Sequence, residues 1–255
     1  MTTTSNTQAL LAHRIEEAAL NSWPGLQQSV FDGWILRFSR GHTKRANSVN
    51  PLYESHLDLE TKIAACEARY AAQGLPAVFR LPSITTPPAL DGLLAERGYR
   101  QMSHTLVQHR DLHADLPQTV DGVALHDETL DDWLALYCQL RGEPLARHDA
   151  HRAILDAITA QCWWVTLRAG ETVLACGVAV MELPFVGLFD LFTHPEQRGK
   201  GYGTAMVAGL LERARDQGAD HAYLQVEADN TIARHIYAHT FGYKTVYDYW
   251  YRVPG

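Results

Sequence analysis

The stretch Thr193-His194-Pro195-Glu196-Gln197-Arg198-Gly199-Lys200-Gly201-Tyr202-Gly203 decides how this chain is read. The mostly apolar run Val186 to Thr193 leads into it and reads as a strand. A helix over Gly203 to Asp216 follows, with Met206, Val207, Leu210 and Leu211 on one face. Glycines in such a turn let backbone N–H groups approach a ligand closely. A helix that begins there adds its unpaired amides and the positive end of its dipole. Arg198 and Lys200 add charge, so the turn is suited to a pyrophosphate. It is not a P-loop, because no G-x-x-x-x-G-K-[ST] occurs, and its G-x-G-x-G spacing differs from the dinucleotide fingerprint G-x-G-x-x-G.

Reading outward, Gln217-Gly218 stops the helix and Ala222 to Glu227 is a strand. Asp229-Asn230 offers an N-cap for a helix over Ile232 to Thr240, Gly242 stops it, and the aromatic-rich Tyr243 to Val253 is a last strand. The same plan recurs 144 residues earlier, where Pro51, Gln73-Gly74 and Gly98-Tyr99 align with Pro195, Gln217-Gly218 and Gly242-Tyr243. This first copy predicts a strand at Arg45–Val49, a helix at Leu57–Ala72, a strand at Ala77–Arg80, a helix at Pro88–Arg97 and a strand at Met102–His109. Strand-like runs precede each copy at Gly33–Phe38, Trp163–Arg168 and Thr172–Met181, the last two joined by a turn at Arg168–Glu171. Opening helices are expected at Ala9–Leu20, Leu130–Leu140 and about Ala150–Ala160. The pattern lapses near Asp111–Gln118, which divides the chain into halves 1–115 and 116–255.

The pattern Thr193-x-Pro195…Arg198-Gly199-x-Gly201-x-Gly203, followed by Asn230-x-x-Ala233-x-x-x-Tyr237-x-x-x-x-Gly242-Tyr243, resembles the GNAT superfamily of N-acetyltransferases. The resemblance covers roughly Ala160–Val253. More distantly, the whole chain is similar to tandem proteins in which a degenerate GNAT-like domain precedes an intact one. It implies an α/β fold with two GNAT-like domains, each a mixed, mostly antiparallel sheet flanked by helices. It also implies acetyl transfer from acetyl-CoA to a primary amine by direct attack in a ternary complex, the acceptor being a small molecule. The backbone of Leu191, Phe192 and Thr193 would pair with the pantetheine arm. Arg198, Gly199, Lys200, Gly201, Tyr202 and Gly203, with Thr204 next on the helix, would hold the pyrophosphate. Asn230 would help position the cofactor arm, and Tyr237 would protonate the leaving thiolate. Asn230 and Tyr237 are seven apart and so share a helix face, and a phenol is a reasonable acid for a thiolate; a packed helix aromatic is the plainer reading of Tyr237.

The position that often carries a Glu base in this superfamily is Gln225, and glutamine cannot take a proton. Asp190, Glu227 or water remain for that task, with strand alternation placing Asp190 on the opposite face from Leu191. The first copy has lost the turn chemistry. Glu54, Ser55, Leu57 and Leu59 stand for Arg198, Gly199, Gly201 and Gly203, while Thr86 and Leu93 stand for Asn230 and Tyr237. That half reads as a structural, substrate-shaping partner. Its polar run Arg37 to Ser48 either lines the acceptor pocket through Arg45 and Asn47, touches the nucleotide 3′-phosphate, or forms a solvated hairpin turn.

Composition agrees with a globular enzyme. Hydrophobic residues are 46% and the net charge is −7, a poor match for nucleic acid. No apolar run is long enough for a membrane span and the N-terminus lacks signal-peptide features, so the chain reads as cytoplasmic, a monomer or a homodimer. Cys66, Cys138, Cys162 and Cys176 sit among apolar neighbours and read as buried and reduced, with none placed as an acyl carrier. His235/His239, His109/His113 and His148/His151 lack a third ligand at metal spacing and read as solvated or hydrogen-bonded. The alternatives to a small-molecule transferase are a non-catalytic acyl-CoA sensor and an enzyme acting on protein lysines or N-termini.

Overall fold

A computed structural model describes residues 2–117 and 120–255. Gln118, one end of the expected boundary segment, lies outside them. The first half runs α1 (Thr2–Ser22), β1 (Gln27–Phe31), β2 (Trp34–Phe38), β3 (Val49–Pro51), α2 (Leu59–Ala71), β4 (Phe79–Pro82), α3 (Leu90–Glu96) and β5 (Arg100–Asp111). The second runs β6 (Ala124–Asp127), α4 (Leu130–Arg141), a short 3-10 turn (Leu145–Arg147), α5 (Asp149–Asp156), β7 (Gln161–Ala169), β8 (Thr172–Glu182), β9 (Phe185–Thr193), α6 (Tyr202–Asp216), β10 (His221–Glu227), α7 (Thr231–Phe241) and β11 (Lys244–Val253).

All eleven strands form one mixed sheet, in the order β1-β2-β3-β4-β11-β5-β10-β9-β8-β7-β6. It is parallel only where β3 meets β4 and where β9 meets β10. The two final strands are exchanged. β11 pairs with β4 of the first half, β5 pairs with β10 of the second, and β5 and β11 pair with each other. The repeat thus becomes a reciprocal swap about the β5/β11 seam.

Helix α6 buries Met206, Val207, Leu210 and Leu211 against β7 to β10, at about 1.5–3 kcal/mol per large side chain. On the other face, α1 from the first half packs with α4 onto β8 and β9, joining Ile15 and Trp23 to Trp133, Val178 and Phe189. Buried polar contacts stitch the halves together. Tyr247 donates to Glu16 at 2.6 Å and Tyr223 to Ser22 at 2.9 Å, and within the first half the two terminal guanidinium nitrogens of Arg80 pair with the same Glu16. Helix α2, α3 and strands β2 to β4 enclose a separate cluster around Trp34, Tyr70, Phe79 and Leu94.

The expected strand Arg45–Val49 is a correction: β3 begins only at Val49. The preceding residues form a compact loop around the Asn47 amide. Its Oδ1 accepts from the N–H of Ser39 (2.6 Å) and Gly41 (3.1 Å), while its Nδ2 donates to the carbonyls of His42 (2.6 Å) and Thr43 (3.0 Å). A side chain that takes these backbone partners leaves none for a ladder. The loop is not a solvated turn either, because Arg37, Ser39, Ala46, Asn47 and Ser48 are buried. Strand β4 also begins two residues later than the expected Ala77, and β6 was not anticipated.

Candidate active site

Strands β9 and β10 are paired only from Phe185/His221 to Leu188/Leu224. Beyond that point β9 bulges, for Phe189 opposes Val178 while Phe192 opposes Cys176. Asp190 takes up the extra residue at φ +47°. The bulge turns β9 away from β10 and opens a gap between residues 189–193 and 225–227. The expected opposite faces hold: Asp190 reaches His151 among the rings of Trp23, Trp133 and Tyr137, while Leu191 packs on the α6 side with Met206.

A cleft of about 780 Å³ runs from this gap over the glycine-rich turn. Leu191, Phe192 and Thr193 line it from β9. Arg198, Gly199, Gly201, Tyr202, Gly203 and Thr204 line it from the turn and the start of α6, and Asn230 and Tyr237 from α7. Lys200 is not among the lining residues, its ammonium lying 2.8 Å from Gln197 Oε1. Arg198 stands over the Phe192 ring, 5.4 Å from its centre. Gly201 is the N-cap of α6 at φ +83°, and among the described residues no side chain caps the helix. Its first amides are therefore available to an anion, which is the property the sequence argument required. A Cβ on Gly203 would lie 2.9 Å from Thr193 Oγ1, so only glycine lets α6 approach β9 this closely.

Asn230 caps α7, its Oδ1 accepting from Ala233 N at 3.2 Å. Tyr237 is half-buried, and burial pushes its phenol up to about 12, so it stays protonated at neutral pH and can donate a proton. Burial also pushes the Cys66 and Cys162 thiols up to about 12, far from thiolate reactivity.

A set of matches to known proteins follows this geometry. The family described as "Probable histone acetyltransferase Rv0428c C-terminal" matches residues 12–252. The chain belongs to this acetyltransferase family. It is 28% identical over 247 residues to the uncharacterized N-acetyltransferase YobR of Bacillus subtilis, covering 94% of this chain and 97% of that one. It is 29% identical over 236 residues to the probable histone acetyltransferase Rv0428c of Mycobacterium tuberculosis, covering 90% and 70%. Its fold is similar to a GCN5-related N-acetyltransferase from Kribbella flavida (TM-score 0.72, 16% identity, 95% of each chain). A tandem GNAT protein from the clavulanic acid biosynthesis pathway matches at TM-score 0.62 and 14% identity, over 81% of this chain and 74% of that one. The protein is thus an acyltransferase of this family, with an α/β fold similar to that of GNAT proteins.

In this acetyltransferase a second cavity, about 310 Å³, shares Leu191, Phe192, Asn230 and Tyr237 with the cleft. It continues past Asp190, Gln225 and Glu227 to Arg45, Tyr137 and Arg141. A further recess of about 360 Å³ reaches Lys44, Ser103, Thr105, Tyr249 and Tyr251. The first half therefore walls this cavity and recess through Arg45, Lys44 and β5. Asn47 does not reach them, being occupied with its own loop. Gln225 accepts a hydrogen bond from Tyr249 at 2.7 Å. Glu227 is exposed at the end of β10, whereas Asp190 lies 2.8 Å from His151 Nε2. His148, His151, Tyr137 and Arg141 escaped a functional reading of the sequence. Their only signal was a pair of histidines three residues apart, and the partner that gives it meaning, Asp190, is 39 positions away.

Proposed function

We propose that this protein transfers an acetyl group from acetyl-CoA to a primary amine by direct attack in a ternary complex. The observation that carries the reading is the uncapped N-terminus of α6, facing one cleft with the splayed end of β9 and Tyr237. Acetyl-CoA supplies the thioester. The backbone of Leu191 to Thr193 would hold its pantetheine arm, the turn from Arg198 to Thr204 its pyrophosphate, and Asn230 the arm's lower end. Tyr237 would give its proton to the leaving sulfur. Residues 116–255 would carry catalysis, with residues 1–115 acting as the structural half that shapes the acceptor pocket.

Asp190 and Glu227 on the acceptor side suit a cationic ammonium group. A small-molecule amine fits a walled cavity of about 310 Å³. A lysine side chain would meet the same carboxylates, and the name of the mycobacterial relative points that way. Thiol release from acetyl-CoA, measured with spermidine, amino acids and a lysine-rich peptide as acceptors, tests the proposal and separates the two classes. Acetyl-CoA binding with no thiol release by any acceptor would favour a non-catalytic sensor.

A further inference from the structure

We infer that Asp190, His151, His148 and Glu143 form a proton-exit relay, in which Asp190 takes the proton of the acceptor ammonium and Glu143 returns it to solvent. The inference rests on the transferase reading above. Three short contacts join the four side chains. Asp190 Oδ2 lies 2.8 Å from His151 Nε2, His151 Nδ1 lies 3.3 Å from His148 Nδ1, and His148 Nε2 lies 2.9 Å from Glu143 Oε2. Exposure falls and rises along the line, from 21% at Asp190 through 4% and 9% at the two histidines to 37% at Glu143. One end thus opens on the acceptor cavity, the other on solvent, and the middle is dry.

Aromatic rings make that middle dry. His42 stacks on His151 at 5.2 Å, Trp23 and Tyr137 each pack 5.6 Å from it, and Trp133 stands edge-on at 6.4 Å. A proton that crosses this middle passes along ring nitrogens.

The hydrogen bonds fix how many protons the line holds. Each contact needs one, so three protons are distributed over four ring nitrogens and two carboxyl groups. With both carboxylates ionised, one imidazole is cationic. With one carboxyl protonated, both imidazoles are neutral. Moving each proton across its own contact converts protonated Asp190 with ionised Glu143 into ionised Asp190 with protonated Glu143.

Every other titratable group facing the line is compatible with this. Arg141 beside Glu143 holds that carboxyl below its ordinary value, so it readily gives a proton to water. Burial, and then His151 and His148, hold His42 below its ordinary value, so it does not compete. Burial pushes the Tyr137 phenol and the Cys138 and Cys176 thiols up, which keeps them neutral. Arg45 lines the same cavity as Asp190.

The reaction balances. The ammonium loses one proton to Asp190, the free amine forms the C–N bond, and the C–S bond breaks. Sulfur takes the Tyr237 proton, and Tyr237 is reprotonated by the second N–H proton. One net proton leaves through Glu143.

The test uses the full chain labelled with ¹⁵N-histidine. In Glu143→Gln, which does not touch His151, the His151 nitrogen shifts should titrate at a different pH from wild type, together with those of His148. Movement of His148 alone would overturn the relay. Kinetics with acetyl-CoA and the best amine of the panel give a second reading. Asp190→Asn should lower kcat by about 10²–10⁴-fold. His151→Ala should lower kcat with an altered pH profile and an unchanged KM for acetyl-CoA, and external imidazole should restore part of it. A His151→Ala enzyme with the wild-type pH profile and no rescue also overturns the relay. Absence of turnover by wild type with every amine would count against the transferase reading, and the nitrogen titrations still decide whether the four groups are coupled.

Discussion

Two turns related by the internal repeat meet the same electrostatic problem in opposite ways. Each leads from a strand with one parallel neighbour into a helix whose first amides have no partner within the helix. In the first half the chain supplies its own anion. The Asp32 carboxylate accepts from the N–H of His56 (3.0 Å) and Leu57 (2.9 Å), Lys62 pairs with it at 3.1 Å, and Asp58 caps α2 through Thr61 N at 2.9 Å. The backbone amide of Leu57 foremost, then that of His56, holds Asp32 down at about 2. In the second half, Lys200 and Gly201 occupy the equivalent places and no side chain among the described residues caps α6. The difference is therefore in who holds the amides. A turn that binds its own carboxylate is closed to phosphate, and a turn left uncapped stays open to it.

Four changes test that comparison. The largest effect is expected from Tyr237→Phe, whose first-half equivalent is already Leu93. Its kcat should fall about 10²–10⁴-fold while the protein still gains thermal stability from acetyl-CoA. Loss of both would mean that Tyr237 supports the cleft and not the proton transfer.

Next is Glu16→Ala, which strands Arg80 in the seam between the halves. Breaking a buried ion pair costs about 3–5 kcal/mol. Because the final strands are exchanged, calorimetry should show one transition shifted down as a whole. Two separate transitions would show that the halves unfold independently.

Gly201→Asp would convert the open turn into the closed kind by placing a carboxylate at the N-cap of α6, as Asp58 stands at that of α2. Wild type with acetyl-CoA at about 100 times Kd should gain about 2.7 kcal/mol of apparent stability. The variant should gain none, and a retained shift in melting temperature would separate the cleft from the turn.

The smallest effect concerns Asp32→Asn. A carboxyl held at about 2 when folded, against 3.8 ordinarily, contributes stability that is fully present above the ordinary value and lost as pH falls through about 2. The variant should therefore melt below wild type at pH 7 and alongside it near pH 2. An equal gap at both pH values would show that the carboxylate charge is not what the amides hold.

Much of this was legible in the residues themselves. The strand, turn and helix around Gly201 follow from periodicity and glycine spacing, and the helix stops at Gly218 and Gly242 follow from their positions. The structure bounds α6 at Tyr202–Asp216 and α7 at Thr231–Phe241, within about one residue of the expected ends. Where local propensity met a tertiary competitor, the reading slipped. Arg45 to Ser48 has strand-like neighbours, yet Asn47 captures the backbone partners of its own loop. The opposite faces of Asp190 and Leu191 follow from alternation, but the bulge that parts β9 from β10 does not.

Local chemistry, written in short-range order, determined the α/β repeat, the intact turn in one half and its loss in the other. Glycine, caps and apolar periodicity act over a few residues, so their consequences can be read along the chain. The exchange of β5 and β11, the first-half loop whose Arg45 lines the cavity beside Asp190, and the line from Asp190 to Glu143 were decided only by the tertiary structure. Each depends on groups from distant parts of the chain being desolvated together. The strength of a hydrogen bond or ion pair is set by that shared burial, which no spacing in the sequence records.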